Sequence, residues 1–258
     1  FIVIAVASTD VRSRARILGD VLDGGHIVMH AVAALAAPLD APTGELRVSD
    51  VIAEETPVLR IGALAGPALP GDLVRRRYAS MVAASRFEEV TSEARRLLGL
   101  APVLRIYTST DPHGVELAAA MSGAYTIGIG IADALDVGPG LRAVLVTRAI
   151  AEASRVGQAA GADPKSFYGL AGLGNLLVRS SPDSESKDYR LGLALGRGEP
   201  LASQPPTEGA RAAVAARRLA DKLGVRVPVL SAVAAVLSGD LSPRDAAATA
   251  ASTVALEE

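Results

Sequence analysis

Short apolar runs alternate with amphipathic stretches over the first 110 residues of the chain. The apolar runs have strand length and predict strands at FIVIAV (1–6), HIVMHAV (26–32), VLRIGALAG (58–66), SMVAAS (80–85) and VLRIYTS (103–109). The stretches RSRARILGDVL and FEEVTSEARRLLG, which lie between them, have helical spacing. Strands that alternate with helices favour a parallel sheet with crossover helices.

The pattern changes at Asp111-Pro112, where strand signals stop and long alanine-rich helical patterns begin. Breaks in these patterns fall at GPG (138–140), GADP (161–164), SSPDSES (180–186), QPP (204–206) and RVP (226–228). They predict five or six helices. The predicted fold class is therefore α/β plus all-α, with a parallel-sheet domain over residues 1–110 and an all-helical domain over residues 111–258.

The composition fits a globular protein that carries no strong charge of either sign. Half of the 258 residues are apolar, which is enough to form a substantial core. The net charge is −2 with both signs scattered along the chain, so we expect no nucleic-acid partner. The chain has no cysteine, so a thiolate metal site is excluded, and we expect no bound metal.

The hydrophobic pattern also disfavours insertion into a membrane. The longest charge-free stretch, between Glu116 and Asp133, is shorter than the roughly 20 apolar residues that span a bilayer. The chain begins at Phe1 with a strand pattern, not with a charged region followed by a signal core. We therefore expect a cytoplasmic protein, and the start at Phe1 indicates a fragment.

Four strings beyond residue 110 carry a resemblance to a known family. They are GVELAAAMSGAYTIGIGIADAL, TRAIAEASRVGQAAGADPKSFYGLAGLGNL, RLGLALGRGEP and TEGARAAVAARRLADKLGVRVPVLSAVAAVLSGDLSPRDA. In this order and at this spacing, they resemble the helical substrate domain of bacterial NAD(P)-dependent glycerol-3-phosphate dehydrogenases. FIVIAVAS resembles the strand that ends in the family's AVPS motif, and LAGPALPGDL resembles its SGPSFA loop. The likeness covers residues 1 to about 250.

The resemblance implies an enzyme that interconverts sn-glycerol 3-phosphate and dihydroxyacetone phosphate and supplies precursors of glycerophospholipids. It implies NAD or NADP as cofactor and a small phosphorylated substrate, and it leaves a homodimer open. Residues 1–110 would be the remainder of a Rossmann-type nucleotide domain, with the family's G-x-G-x-x-G turn upstream of Phe1. GLAGLG (169–174) does not replace that turn, because no strand pattern leads into it.

Three catalytic positions of the family are substituted in this chain. The family's Lys-Asn falls on Ser122-Gly123, the lysine of its strand-end ATKGL motif falls on Ala33, and the aspartate of its GLGDL motif falls on Asn175. In such an enzyme the first lysine donates a proton to the ketone oxygen as hydride arrives at the carbon. Serine is a poor acid and carries no charge that stabilises a developing alkoxide, so the resemblance implies weakened chemistry.

The resemblance also implies positions that contact the substrate and the cofactor. The substrate positions are Gly66, Ala68, Ser186, Lys187 and Asp188, and the cofactor positions are Ala5, Ser8 and Glu208. Ser186-Lys187-Asp188 stands where the family has the Ser-Arg-Asn that holds the substrate phosphate. Lysine keeps the cation but gives up the bidentate fork of arginine, and Asp188 would repel a phosphate dianion.

Without the resemblance, the same residues have simpler interpretations. Ser122-Gly123 is also interpretable as a small-residue contact between helices, and Glu116 as a favourable charge near a helix start. His30, at a strand end three residues before Ala33, is a candidate alternative acid. Three functions stay open: an active dehydrogenase with an altered proton donor, an inactive paralogue that binds a ligand, and a protein-interaction module.

Overall fold

A computed structural model of the chain describes residues 1–36 and 46–252. Its first part is a five-stranded sheet in the order β1-β2-β5-β6-β7, and the short strands β3 and β4 pair with each other. The strands are β1 (Ile2–Ile4), β2 (Ile27–His30), β3 (Leu35–Ala36), β4 (Leu46–Arg47), β5 (Arg60–Ala65), β6 (Ala79–Ala84) and β7 (Leu104–Ser109). The helices of this part are α1 (Val11–Gly19), α2 (Val48–Glu55), α3 (Pro70–Val74) and α4 (Glu88–Leu98).

Each of the five predicted strand segments overlaps a strand of the sheet, but the sheet is not parallel throughout. β1, β2 and β5 are parallel, and so are β6 and β7, whereas β6 is antiparallel to β5 and pairs Ala63 with Ala84. The prediction of a wholly parallel sheet was therefore wrong at the β5–β6 connection. The reason is that α3, the one helix of that connection, has five residues, and a helix of that length does not carry the chain across a sheet face.

The rest of the described chain is helical. Its elements are α5 (Pro112–Ala134), α6 (Gly138–Ala159), α7 (Lys165–Tyr168), a π-helical turn (Leu170–Gly174), α8 (Asn175–Arg179), α9 (Lys187–Gly196), α10 (Glu208–Lys222), α11 (Pro228–Ser238) and α12 (Pro243–Ser252). These are eight helices within the described residues, more than the five or six predicted. The additional ones, α7 and α8, have four and five residues, too few to show a helical period in the sequence.

The predicted domain boundary lies where strand gives way to helix. β7 ends at Ser109, and α5 begins at Pro112. The two predicted domains also include residues 37–45 and 253–258, which lie outside the described residues. The division into residues 1–110 and 111–258 stays a prediction.

Helix α5 is the central element of the helical part. Asp111 caps its N-terminus by accepting a hydrogen bond from the Gly114 N–H at 2.9 Å, and Pro112 at the first position needs no partner for a backbone N–H. The helix is long and apolar enough to span a bilayer, but 94% of its most apolar window is buried inside the fold. It therefore serves as the core helix on which the other helices and the sheet pack.

Glycines allow α5 and α9 to approach each other closely. A Cβ at Gly130 of α5 would lie 3.0 Å from the Cα of Gly192 in α9 and 2.5 Å from the Tyr189 carbonyl oxygen. A Cβ at Gly192 would collide with the carbonyl oxygen of Ile127. Since these neighbours are backbone atoms, no side-chain rotation relieves the contact.

We expect Gly192→Ala to destabilise the protein by about 1–3 kcal/mol, because the added methyl group forces α5 and α9 apart. The matched control is Gly140→Ala in α6, where no atom lies within 4 Å of the added carbon. That change should be neutral or stabilise by up to about 1 kcal/mol, because alanine favours the helix. Urea denaturation of both variants measures the difference, and a neutral Gly192→Ala would contradict the close helix contact.

Candidate active site

Ser122 of α5 and Asn175 at the start of α8 lie in direct contact, and both are buried. Asn175 Nδ2 donates a hydrogen bond to Ser122 Oγ at 2.8 Å, and the Ser122 hydroxyl donates to the Ala119 carbonyl oxygen at 2.7 Å. The hydroxyl hydrogen of Ser122 is therefore already bound to the backbone of its own helix. In this arrangement Ser122 has no proton directed at a ligand.

The turn that precedes α8 sets the position of Asn175. A Cβ at Gly172 would collide with the backbone of Phe167, so the chain between α7 and α8 folds tightly only with glycine there. A Cβ at Gly174 would lie 3.5 Å from Pro67 Cγ, which shows that the loop after β5 packs on the same turn. The glycines of GLAGLG thus serve packing, in agreement with the rejection of this string as a phosphate loop.

An ion pair that sequence reasoning missed lies beside the Ser122–Asn175 contact. Arg179, one helical turn after Asn175 on α8, pairs through Nη2 with Asp188 Oδ2 of α9. Asp188 Oδ1 also accepts a hydrogen bond from the Gly209 N–H at 2.9 Å. The i, i+4 spacing of Asn175 and Arg179 was visible in the sequence, but nothing there indicated that this face of α8 meets α5 and α9.

The Arg179–Asp188 pair lies next to Gly123. A Cβ at Gly123 would lie 3.2 Å from Asp188 Oδ2 and 3.4 Å from Arg179 Nη2. Asp188, which we expected to repel a phosphate, is thus buried and neutralised by an arginine. Lys187, expected to be the phosphate cation, is exposed at the first position of α9, and Ser186 caps that helix by accepting from the Tyr189 N–H at 3.3 Å. The phosphate roles of Ser186 and Lys187 stay predictions.

Glu116 and His30 form a second buried polar cluster at the junction of α5 with the sheet. His30 Nε2 lies 3.4 Å from Glu116 Oε2, close enough for electrostatic attraction but too far for a well-directed hydrogen bond. Ser49 donates to Glu116 from its backbone N–H at 3.1 Å and from its hydroxyl at 2.6 Å. Burial opposes ionisation of Glu116 and raises its pKa, but the neighbouring His30 and the two Ser49 donors lower it by more, so the net shift of the Glu116 pKa is downward.

His30, the candidate alternative acid, is therefore a buried partner of Glu116. It is 1% exposed, and the Val32 N–H lies 3.4 Å from its Nδ1 atom. Ala33, three residues further on, is half-buried and packs against the main core. An alanine contributes no charge or proton donor at that position.

The predicted cofactor positions Ser8 and Glu208 contact each other. Glu208 accepts from the Ser8 N–H at 3.0 Å and from the Ser8 hydroxyl at 2.6 Å, and Arg211 pairs with it at 2.9 Å. Burial raises the pKa of Glu208, but Arg211 and Ser8 lower it by more, so the net shift is downward. Ala5, the third cofactor position, is exposed just beyond β1.

The substrate positions Gly66 and Ala68 lie in the loop after β5. Gly66 has a φ angle of +140°, and a Cβ there would lie 2.9 Å from the Cα of Met81, so this turn requires glycine. The Ala68 N–H donates to the Gly66 carbonyl oxygen at 2.9 Å. Among the described residues, no group of three or more His, Asp or Glu side chains is arranged to hold a metal ion.

Comparison with solved structures identifies the class of this fold. The chain superposes on glycerol-3-phosphate dehydrogenase from Coxiella burnetii with a TM-score of 0.88 and 26% sequence identity, over 97% of this chain and 76% of that one. The mostly parallel sheet and the helical part together therefore form the two-domain dehydrogenase fold, with a Rossmann-type domain followed by a helical domain. This confirms the predicted fold class.

Sequence comparison identifies the family. The family model described as NAD-dependent glycerol-3-phosphate dehydrogenase C-terminus matches residues 111–248. The glycerol-3-phosphate dehydrogenase [NAD(P)+] of Leptothrix cholodnii is 40% identical over 219 residues, which are 83% of this chain and 64% of that protein. That of Brucella ovis is 38% identical over 207 residues, 80% of this chain and 63% of that protein.

The chain belongs to the NAD-dependent glycerol-3-phosphate dehydrogenase family. It spans somewhat less than two thirds of the length of these two curated relatives. The resemblance stated from the sequence is thus confirmed at the level of the family.

We expect Ser49→Ala to destabilise the protein by about 1.5–3 kcal/mol near pH 7, because it removes a hydroxyl donor from a buried carboxylate. The folded-state pKa of Glu116 is lowered, so its ionised form stabilises the fold above the ordinary glutamate pKa of about 4.3. That stabilisation is lost as the pH falls through the folded-state pKa. The difference between wild type and Ser49→Ala should therefore shrink at acid pH.

Chemical denaturation at a series of pH values measures this effect. The control is Ser13→Ala, which removes an exposed hydroxyl that donates to the Asp10 carbonyl oxygen at 2.9 Å. It should change stability by less than about 0.5 kcal/mol at every pH. A Ser49→Ala effect that does not vary with pH would show that Glu116 is not the group involved.

Proposed function

We propose that this protein is a nicotinamide-linked dehydrogenase of the glycerol-3-phosphate dehydrogenase family whose proton-transfer step is severely weakened. The observation that carries the proposal is the hydrogen bond from Asn175 to Ser122, at the positions where the resemblance implies an aspartate and a lysine. The family reaction interconverts sn-glycerol 3-phosphate and dihydroxyacetone phosphate. In a cytoplasmic setting this supplies precursors of glycerophospholipids.

The proposed cofactor is NAD or NADP, which supplies or accepts the hydride when bound. The carboxyl ends of the parallel strands β1, β2 and β5 lie at one edge of the sheet, where open α/β sheets bind dinucleotides. Ala5 is exposed at that edge, and Ser8 is held there by Glu208. This edge therefore fits a nucleotide, and the Ser8–Glu208 contact fixes the strand end against α10.

The weakened step is the transfer of a proton to the ketone oxygen. Ser122 donates its only hydroxyl hydrogen to Ala119, and Asn175 is uncharged at any ordinary pH. Neither residue acts as a general acid in this arrangement, and a positioned general acid contributes about 10²–10⁴-fold to a rate. We propose that turnover of dihydroxyacetone phosphate is at least about 100-fold below that of a cleft that contains the lysine.

The proposal predicts that Ser122→Lys and Asn175→Asp restore activity only together. A lysine at this buried position needs a carboxylate to hold its charge and its orientation, and Asn175 provides none. We expect each single change to alter the rate by less than about 3-fold and the double change to raise it by about 100-fold. The assay follows oxidation of NADH or NADPH by dihydroxyacetone phosphate, with full-length protein.

Ser203→Lys is the matched control, because it adds the same charge at an exposed position outside the cleft. It should leave the rate unchanged. Two results would contradict the proposal. One is a wild-type protein that reduces dihydroxyacetone phosphate as fast as the double variant, and the other is full activity of the Ser122→Lys single variant.

A further inference from the structure

A groove of about 580 Å³ lies between the outer strands of the sheet and the helical part. β7 is the last of the described strands in the sheet order, so no strand of that part of the chain covers its outer side. Ser80 pairs with Arg105 and Val82 with Tyr107, so these four residues share one face of the sheet. Val82 is buried in the main core, whereas Arg105 and Tyr107 are exposed. The groove is therefore the part of this face that the helices leave uncovered.

We infer that this groove binds a small ligand that combines an aromatic ring with a carboxylate or a phosphate group. The volume of the groove falls within the roughly 300–1,000 Å³ that is usual for small-molecule sites. None of the predicted catalytic, substrate or cofactor residues lines it. The inference therefore goes beyond the proposed function and does not rest on it.

The first argument is an arginine without a counter-charge. The side chain of Arg105 is exposed and has no ion-pair or hydrogen-bond partner among the described residues. None of the described residues that line the groove is acidic. A guanidinium presents its N–H donors in a planar fork that matches a carboxylate or a phosphate, and it is charged at any ordinary pH. The groove therefore favours an anion.

The second argument is the pair of tyrosines beside this arginine. Tyr107 lies two residues after Arg105 on β7, and Tyr78 lies two residues before Ser80, the partner of Arg105 on β6. Both tyrosines line the groove, and Tyr78 is 81% and Tyr107 52% exposed, so their rings are open to stack with a ligand ring. Neither hydroxyl has a hydrogen-bond partner within the described part of the chain, so both are free to donate to an anion.

The third argument is the apolar part of the lining. Pro67 after β5, Leu170 of the π-helical turn and Val178 of α8 are half-buried there, and Pro102 before β7 adds an exposed ring. A ligand ring packed against these carbons removes apolar surface of both partners from water. A cation and an apolar wall therefore occur in one groove, and a ligand with only one of the two features would use only part of the lining.

The test compares 2-naphthoate, 2-naphthyl phosphate and 2-naphthalenemethanol, which share one ring system. The first two carry an anionic group, and the third is neutral. Titrations of the full-length protein follow the fluorescence of the naphthalene ring, since the chain has no tryptophan that would mask it. We expect at least one of the two anions to bind about 10-fold or more tightly than the neutral alcohol. The tighter of the two identifies the preferred anionic group.

Two variants separate the charge from the ring. We expect Arg105→Gln to weaken binding of the preferred anion by about 10-fold or more and to change binding of the neutral alcohol by less than about 3-fold. Tyr107→Leu should weaken all three probes by about 2–10-fold, because it removes a ring on which they stack. The matched control is Arg95→Gln, which removes the same charge from an exposed position on α4. Since α4 packs on the opposite face of the sheet, this change should affect no probe.

Arg105→Lys keeps the charge but gives up the planar fork. Its affinity for the preferred anion should lie between that of the wild type and that of Arg105→Gln. Because Arg105 is exposed and has no partner among the described residues, both variants should unfold in urea at the same concentration as the wild type. A Gln variant that fails to fold would leave the Lys variant to decide the test.

Three results would overturn the inference. The first is that neither anion binds more tightly than the alcohol, or that both Arg105 variants bind the anion as the wild type does. The second is displacement of the bound probe by NADH, which would place the probe at the cofactor edge. The third is a dimer, seen by sedimentation, that dissociates in Arg105→Gln, which would assign the groove to a second copy of the chain. Each of these results leaves the proposed function intact.

Discussion

The burial of α5 is the constraint on which the rest of the structure depends. This helix is apolar on almost every face, so the sheet, α6, α9, α10 and α11 all pack on it. A polar side chain placed on such a helix has no access to water and needs a hydrogen-bond partner, either in the helix itself or in a neighbouring element. Glu116, Ser122 and Tyr125 each have a partner from a neighbouring element: Ser49 of α2, Asn175 of α8 and Glu152 of α6.

The contacts around Ser122 meet the same requirement. A buried aspartate at position 175 facing a serine would be a charge without a counter-charge, whereas Asn175 satisfies Ser122 with a neutral hydrogen bond. Arg179 and Asp188 form a second neutral unit beside it, and Gly123 leaves room for both side chains. These buried side chains are therefore balanced in charge, with each polar group held by a partner from another helix.

Two carboxylates connect the helical part to the first part of the chain. Glu208 at the start of α10 receives both donors of Ser8 beyond β1, and Glu116 of α5 receives both donors of Ser49. In each case a backbone N–H and a hydroxyl of one residue bind one carboxylate, which fixes orientation as well as distance. The first of these contacts places the end of β1, and the exposed Ala5, beside α10.

The sequence by itself determined the strand and helix segments, the change of character at Asp111-Pro112 and the family. Local periodicity and turn residues are encoded by neighbours in the chain, and motif order survives without knowledge of contacts. The resemblance also implied that the family's charged groups are replaced at Ser122, Ala33 and Asn175. The sequence did not reveal the antiparallel direction of β6 or the short helices α7 and α8. The direction of a strand leaves no periodic signal along the chain, and neither does a helix of about one turn.

Only the tertiary structure decided which substituted residues meet and what charge results. Arg179 and Asp188 are ordinary charged residues in the sequence, separated by a polar loop. Their pairing depends on how α8 and α9 pack against α5, since an ion pair between elements is set by distance and burial and not by spacing along the chain. The same packing buries His30, a candidate acid in the sequence, beside Glu116.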